Sequence, residues 1–253
     1  MPDIACVYCG ASNSFKESEG VCRFCEGYIA NIPPHELNMT NAERQSILQA
    51  REMVENGNFE GACKLADSTS GSKDPFVNYV AGIIYKYCSD FYYFSIDYAL
   101  KGFMEQNAEN RERSLKLEGL SRERFYRVVY EVEKVPEPKS EPLVYLELVS
   151  LVKLGRLAEA KAMLERLDKK GKAYAYANML CQVEANAKQA EKAIKPLLEK
   201  EANASYYLAK YFAKNGKLSK AKQALANFKK LVPNSLIALP LEKRIQEYES
   251  NLE

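Results

Sequence analysis

Four cysteines constrain this chain more than any other feature. They fall in two C-x-x-C pairs, Cys6-Val7-Tyr8-Cys9 and Cys22-Arg23-Phe24-Cys25, with twelve residues between the pairs. Each pair can bite one ion from a single tight turn, and two pairs supply the four thiolates that a tetrahedral Zn²⁺ site takes. A glycine follows each pair, Gly10 at once and Gly27 after one residue. Both are read as positions where the turn needs positive φ. The alternatives are two disulfides or an iron–sulfur site. The N-terminal Met1-Pro2-Asp3-Ile4 has no basic-then-apolar leader, and three further cysteines remain, which fits poorly with disulfides.

This segment resembles a zinc ribbon, in which two knuckles at hairpin tips clamp one ion. The resemblance covers residues 4–30 and implies one structural Zn²⁺ held by Cys6, Cys9, Cys22 and Cys25. A unit of about 30 residues buries too little apolar surface to fold unaided. Chelation is therefore expected to unfold residues 1–30 and leave the rest helical. Cys63, Cys88 and Cys181 lie in apolar helical patterns and read as small core residues. The one histidine, His35, lies in Asn31-Ile32-Pro33-Pro34-His35-Glu36-Leu37, which reads as a linker. With a single histidine, no His-pair metalloprotease is possible, and no phosphate-cradling glycine loop is present. A non-catalytic protein is expected.

From residue 41 the pattern is helical. Thr40 and Glu43 stand at capping-box spacing, and Asn56-Gly57-Asn58 ends the first helix. Small residues recur at Ala160, Ala190 and Ala221, each about 30 residues after the last. In the segment 202–235, Leu208, Ala209 and Phe212 are followed by Gly216, then Leu218, Ala221, Leu225 and Phe228, and Pro233 closes the unit. This segment resembles a tetratricopeptide (TPR) repeat over its whole length, with Ser205 where the signature tryptophan would stand. Gly155, Leu157, Ala160, Leu164 and Leu167 follow the same plan. So do Ala190, Ile194 and Leu197, with Ala185 in place of the turn glycine and Pro196 expected to kink the second helix. Gly57, Phe59 and Ala62 suit one more repeat turn, and Ala99 and Phe103 another.

The resemblance implies a mainly α fold, a TPR-like α-solenoid of helix hairpins behind a small N-terminal β-type zinc ribbon. The expected domains are the ribbon at 1–32, a helical repeat region at 41–133, and repeats with a capping helix at 141–253. The proline-rich Val135–Pro142 reads as a stiff connector, with Ser140 as a helix cap.

In TPR-like repeats the first helices line a groove. Carried over by position, Tyr145 and Lys153, Met179, and then Tyr206, Lys210 and Lys214 face a partner. Lys210 and Lys214 resemble half of a carboxylate clamp, but Tyr145 and Val149 stand where its other half would be. The aromatic stretch from Phe76 to Phe103 includes four consecutive aromatics at 91–94, which cannot all face inward on one helix. Some are expected to be exposed, or to meet the linker or the ribbon.

Charge bears on the partner. Residues 1–40 carry a net −3, whereas residues 141–253 hold 20 basic and 13 acidic side chains. A basic half attracts acidic partners or nucleic acid. The chain is 47% hydrophobic, enough for a core, yet no apolar run reaches the ~18 residues of a membrane span. The expected protein is a cytoplasmic adaptor or scaffold. It binds other proteins or peptides, acidic ones among them, and takes no membrane and no small-molecule substrate. The alternative is an RNA- or ribosome-associated factor.

Overall fold

A computed structural model of the protein describes residues 3–14, 19–94, 104–233, 235 and 237–250. Two short antiparallel hairpins open the chain. Strand β1 (Asp3–Ala5) pairs with β2 (Ser12–Ser14), and β3 (Gly20–Val21) pairs with β4 (Tyr28–Ile29). Each hairpin carries one C-x-x-C pair in its turn. Ala99 and Phe103, expected in a further repeat, lie outside the described residues.

After residue 40 the regular elements among the described residues are all helices. Helix α1 (Asn41–Glu55) starts at a capping box, with the Thr40 side chain accepting from Glu43 N and the Glu43 carboxylate accepting from Thr40 N. Gly57 turns the chain at φ 77° into α2 (Phe59–Asp67). Helices α3 (Pro75–Phe94) and α4 (Met104–Glu133) form a longer pair. They approach closely because small residues line the seam. Ser121 Oγ donates to Gly82 O at 2.8 Å, and a Cβ on Gly82 would lie 3.0 Å from the Phe125 ring.

Three pairs follow: α5 (Glu141–Leu154) with α6 (Leu157–Met163), α7 (Lys172–Glu184) with α8 (Ala190–Ile194), and α9 (Ala202–Lys214) with α10 (Leu218–Leu231). Ala160, Ala190, Ala209 and Ala221 are all fully buried. The turns contain Gly155 at φ 79° and Gly216 at φ 68°. In the middle pair the positive-φ residue is Asn186, at φ 49°, while Ala185 stays right-handed. Asparagine tolerates this region better than alanine does. Helices α6 and α8 are short and run into 3₁₀ turns at Leu164–Arg166 and Lys195–Leu197, the latter built around Pro196. These shortened second helices account for the 30-residue spacing.

The last helix, α11 (Ala238–Ser250), packs on α9 and α10 and also returns to α3. Tyr93 Oη donates to Glu247 Oε2 at 3.4 Å, and Arg244 lies over the Tyr93 ring. Helices α3, α5, α7, α9 and α11 thus meet in a circuit. Helix α5 is its centre. Leu143, Tyr145, Leu148 and Val149 are all fully buried, so this helix is buried on nearly every side, as a core helix should be. No helix among the described residues is long and apolar enough to cross a membrane.

The 135–142 connector is packed. The buried Glu36 carboxylate accepts from Ser140 N at 2.8 Å and from Ser140 Oγ, while Ser140 caps α5 at Leu143 N. Asp74 accepts from Asn38 N, Phe76 N and Val77 N, so the 31–40 segment is tied to the start of α3 as well.

Arg124, only 4% exposed, fixes the first half of the body. Its guanidinium donates to Ala66 O, Thr69 O and Asn78 Oδ1, each at 2.8 Å. It places positive charge at the C-terminal end of α2, where the helix dipole favours it. Arg124→Leu would leave three buried acceptors without this donor, at about 1–3 kcal/mol each. Urea unfolding should show a loss of roughly 3 kcal/mol or more.

Candidate metal centre

The two turns that carry the cysteines are built alike. In the first, Gly10 N donates to Cys6 O and Cys6 N donates to Ala11 O; in the second, Glu26 N donates to Cys22 O and Cys22 N donates to Gly27 O. Each turn needs a left-handed residue after its second cysteine. In the first it is Gly10, at φ 73°. In the second it is Glu26, at φ 61°, and not Gly27. Gly27 is small for another reason: a Cβ there would lie 2.7 Å from the Tyr8 ring.

The four thiols converge. Cys6, Cys9, Cys22 and Cys25 are all buried, and their sulfurs lie within 4.8 Å of one another. The pairs Cys6–Cys25 and Cys9–Cys22 are separated by 3.7 and 3.6 Å. Disulfide bonds are ruled out at those distances, since S–S is about 2.05 Å. A tetrahedron with metal–sulfur bonds of about 2.3 Å has edges of about 3.8 Å. The set therefore fits one ion with all four positions supplied by protein. Burial pushes the Cys9 and Cys25 thiols up. At Cys22 burial also opposes ionisation, but hydrogen bonds from Cys25, Cys6 and Cys9 outweigh it and lower that thiol. Four buried thiolates need a cation among them. Asn13 Nδ2 lies 3.7 Å from Cys22 Sγ, while Asn13 Oδ1 accepts from Arg23 N. This residue joins the first hairpin to the second knuckle.

The helical body grips the second knuckle by one side chain above all. Glu26, 7% exposed, accepts from Lys153 Nζ at 2.8 Å, Tyr207 Oη at 2.7 Å and Tyr176 Oη at 3.2 Å, while its carbonyl accepts from Tyr145 Oη at 3.1 Å. Helices α5, α7 and α9 each contribute. Burial opposes the charge on Glu26, but the Lys153 ammonium and the hydrogen bonds outweigh it and hold the carboxyl below its usual range. Burial, reinforced by the Glu26 charge, raises the phenols of Tyr145, Tyr176 and Tyr207, so all three stay neutral donors. Further contacts surround this one. Tyr87 Oη donates to Phe24 O, Asn203 Nδ2 to Arg23 O, Lys172 Nζ to Glu19 O and Arg51 Nε to Cys9 O. Tyr8 stacks on Phe76 at 4.7 Å, and Phe24 meets Tyr87 edge-on at 5.0 Å. Part of the aromatic stretch thus packs on the N-terminal unit.

The residues expected to line a partner groove are placed as follows. Tyr145 and Lys153 hold Glu26, and Met179 is fully buried. Tyr206 is half-buried between the rings of Tyr207 and Phe228. Lys210 and Lys214 both reach Glu184, the latter at 3.2 Å. Burial opposes the Glu184 charge, yet the two ammonium groups outweigh it and hold the carboxyl at about 2. Burial lowers Lys210 even beside Glu184. His35 is exposed on a 3₁₀ turn at Pro34–Glu36 and is no member of the thiol cluster. Cys88 and Cys181 are buried and Cys63 is half-buried.

Sequence reasoning missed Glu26, Tyr176, Tyr207 and Asn13. One signal was present: a glutamate stands in the second knuckle where the first has glycine.

No family model matches this chain, and neither the curated proteins nor the solved structures give a match.

Lys153→Met leaves Glu26 buried without its cation and should cost about 3–5 kcal/mol in urea unfolding. Glu26→Gly removes the charge and the left-handed strain together and should cost less. The double variant should recover part of the Lys153→Met loss.

The Glu184 carboxyl is depressed on folding, so its contribution to stability is complete above about pH 4.5 and is lost as pH falls towards 2. Glu184→Gln should flatten that part of the stability–pH curve.

Proposed function

We propose that the protein is an adaptor whose helical body, a TPR-like array of paired helices, docks partner proteins, and whose N-terminal knuckles hold one structural Zn²⁺. The observation that carries this reading is the closed thiol set. Catalytic zinc keeps a position open for water or substrate, whereas here four buried cysteines fill every position. The ion's role is then to fix shape. Through Glu26, Phe24, Arg23 and Glu19 the knuckles touch α3, α5, α7 and α9, so zinc sets how those helices stand relative to one another. Partners read the surface that results, and the protein performs no chemistry of its own.

RNA or ribosome association through the basic residues 141–253 is the second reading. Ion pairing weakens it, because Lys153, Lys210, Lys214, Lys222 and Lys229 all face carboxylates. A steep fall of RNA affinity with salt would support it.

Native mass spectrometry of the reduced protein should find one Zn²⁺ per chain, and a metal-free chain would overturn the zinc assignment. Because the knuckles are bonded into the body, chelation should lower the unfolding temperature of the helices and not merely loosen residues 1–30. Cys6→Ser/Cys9→Ser should lose the partners that the intact chain retains in a pull-down. Retention of the same partners would count against a zinc-dependent surface.

A further inference from the structure

Lys153 and Tyr207 hold Glu26 from one side and also line a cavity of about 180 Å³ to which no described residue of the N-terminal unit contributes. Phe125, Val152 and Leu180 give it an apolar wall, and Arg122, Lys86 and Lys210 add charge. A second cavity of about 330 Å³ lies against Arg111, Leu115, Ser89, Tyr93 and Arg244. Lys86 and Glu118 line both, so the two form one trough between α3 and α4, with α5, α7 and α9 at one end and α11 at the other.

Six cations and three carboxylates border this trough. Most of the cations are engaged: Lys86 with Asp90, Lys153 with Glu26, Lys210 with Glu184, and Arg244 with the Tyr93 ring. Arg111 and Arg122 are different. Neither makes a hydrogen bond or ion pair among the described residues, and the same is true of Glu118 between them. All three lie along one face of α4, at i, i+7 and i+11. At 1.5 Å per residue the two arginines stand about 16 Å apart along the axis. The unpaired charges read plus, minus, plus.

Such a pattern selects its ligand. A phosphodiester backbone is negative at every step and would meet Glu118, with Asp90 and Glu184 close by. A peptide can alternate. An extended segment spans about 13 Å over four residues and about 20 Å over six, which brackets this distance, and residues an even number apart share one face. It can place a carboxylate at each end, a basic or amide side chain between, and an apolar side chain in the smaller cavity. Resting on the adaptor reading above, we propose that this trough docks an acidic peptide segment of a partner protein. Arg111 and Arg122 take its two carboxylates, Glu118 takes a donor between them, and the pocket of Phe125, Val152 and Leu180 takes one apolar side chain.

Fluorescence anisotropy on the intact, zinc-loaded chain tests this. The probes are labelled eight-residue peptides with Asp or Glu four or six positions apart, Lys or Gln at an even spacing between them, and each large apolar residue in turn at the flanking positions. A subset should bind, more weakly as salt rises, and Arg111→Glu/Arg122→Glu should lower affinity at least tenfold without moving the unfolding temperature. The milder Arg111→Ala/Arg122→Ala should give a smaller loss. Glu118→Lys should shift preference towards peptides with an acidic middle residue. The proposal is overturned if no peptide binds, if charge reversal leaves affinity unchanged, or if a single-stranded RNA oligomer binds here and the peptides do not. The two readings fail separately. If cross-linking finds no protein partner for the intact chain, the adaptor reading falls. If a partner is found but is held equally by Arg111→Glu/Arg122→Glu, only the trough falls.

Discussion

A buried glutamate in the left-handed region holds the two parts of this protein together. Glu26 sits where its sister knuckle has glycine, at φ 61°, and an L-residue there costs about 1–2 kcal/mol. Its carboxylate receives three hydrogen bonds, one from an ammonium, and hydrogen bonds to charged groups contribute about 1.5–3 kcal/mol each. The strain is therefore outweighed, provided that α5, α7 and α9 all reach the same point. The dependence runs both ways. The knuckle keeps its geometry because the helices hold Glu26, and Lys153 tolerates its partly buried site because Glu26 neutralises it.

The groove implied by a repeat resemblance takes on a different meaning beside this contact. Lys153 binds a carboxylate, as a groove residue should, and Tyr145 binds the carbonyl of the same residue, but that residue, Glu26, belongs to the chain itself. The other two groove lysines, Lys210 and Lys214, are paired with Glu184 from the neighbouring pair of helices. Several cations that look available in a sequence are thus engaged internally, whereas Arg111 and Arg122 on α4 have no ion pair among the described residues.

What could be read from the sequence follows the range of the interaction involved. The four-cysteine cluster is legible because a C-x-x-C bite is local chemistry. The turn glycines at 57, 155 and 216 and the alanines at 160, 190 and 221 are legible because backbone sterics act over a few residues. Asn186 was missed by aligning on glycine, although asparagine meets the same backbone demand. The partners of Glu26 lie 127, 150 and 181 positions away, and no periodicity carries information over that distance. The return of α11 to α3 is as remote, with Tyr93 and Glu247 separated by 154 positions.

The aromatic residues show why neither part is complete alone. Tyr8, Phe24 and Tyr28 are the large apolar side chains of the knuckles, and a free unit of this size would leave them in water. Here Tyr8 stacks on Phe76, Phe24 meets Tyr87, and Tyr28 meets Tyr145 at 5.7 Å. The core of the N-terminal unit is in effect the inner face of α3 and α5. A bound ion can fix the turn geometry but supplies no apolar area, and the helices supply the area but cannot shape the turns. With an ion held in that thiol set, its affinity and helix packing would be linked quantities, because each is measured against a state in which the other is already in place.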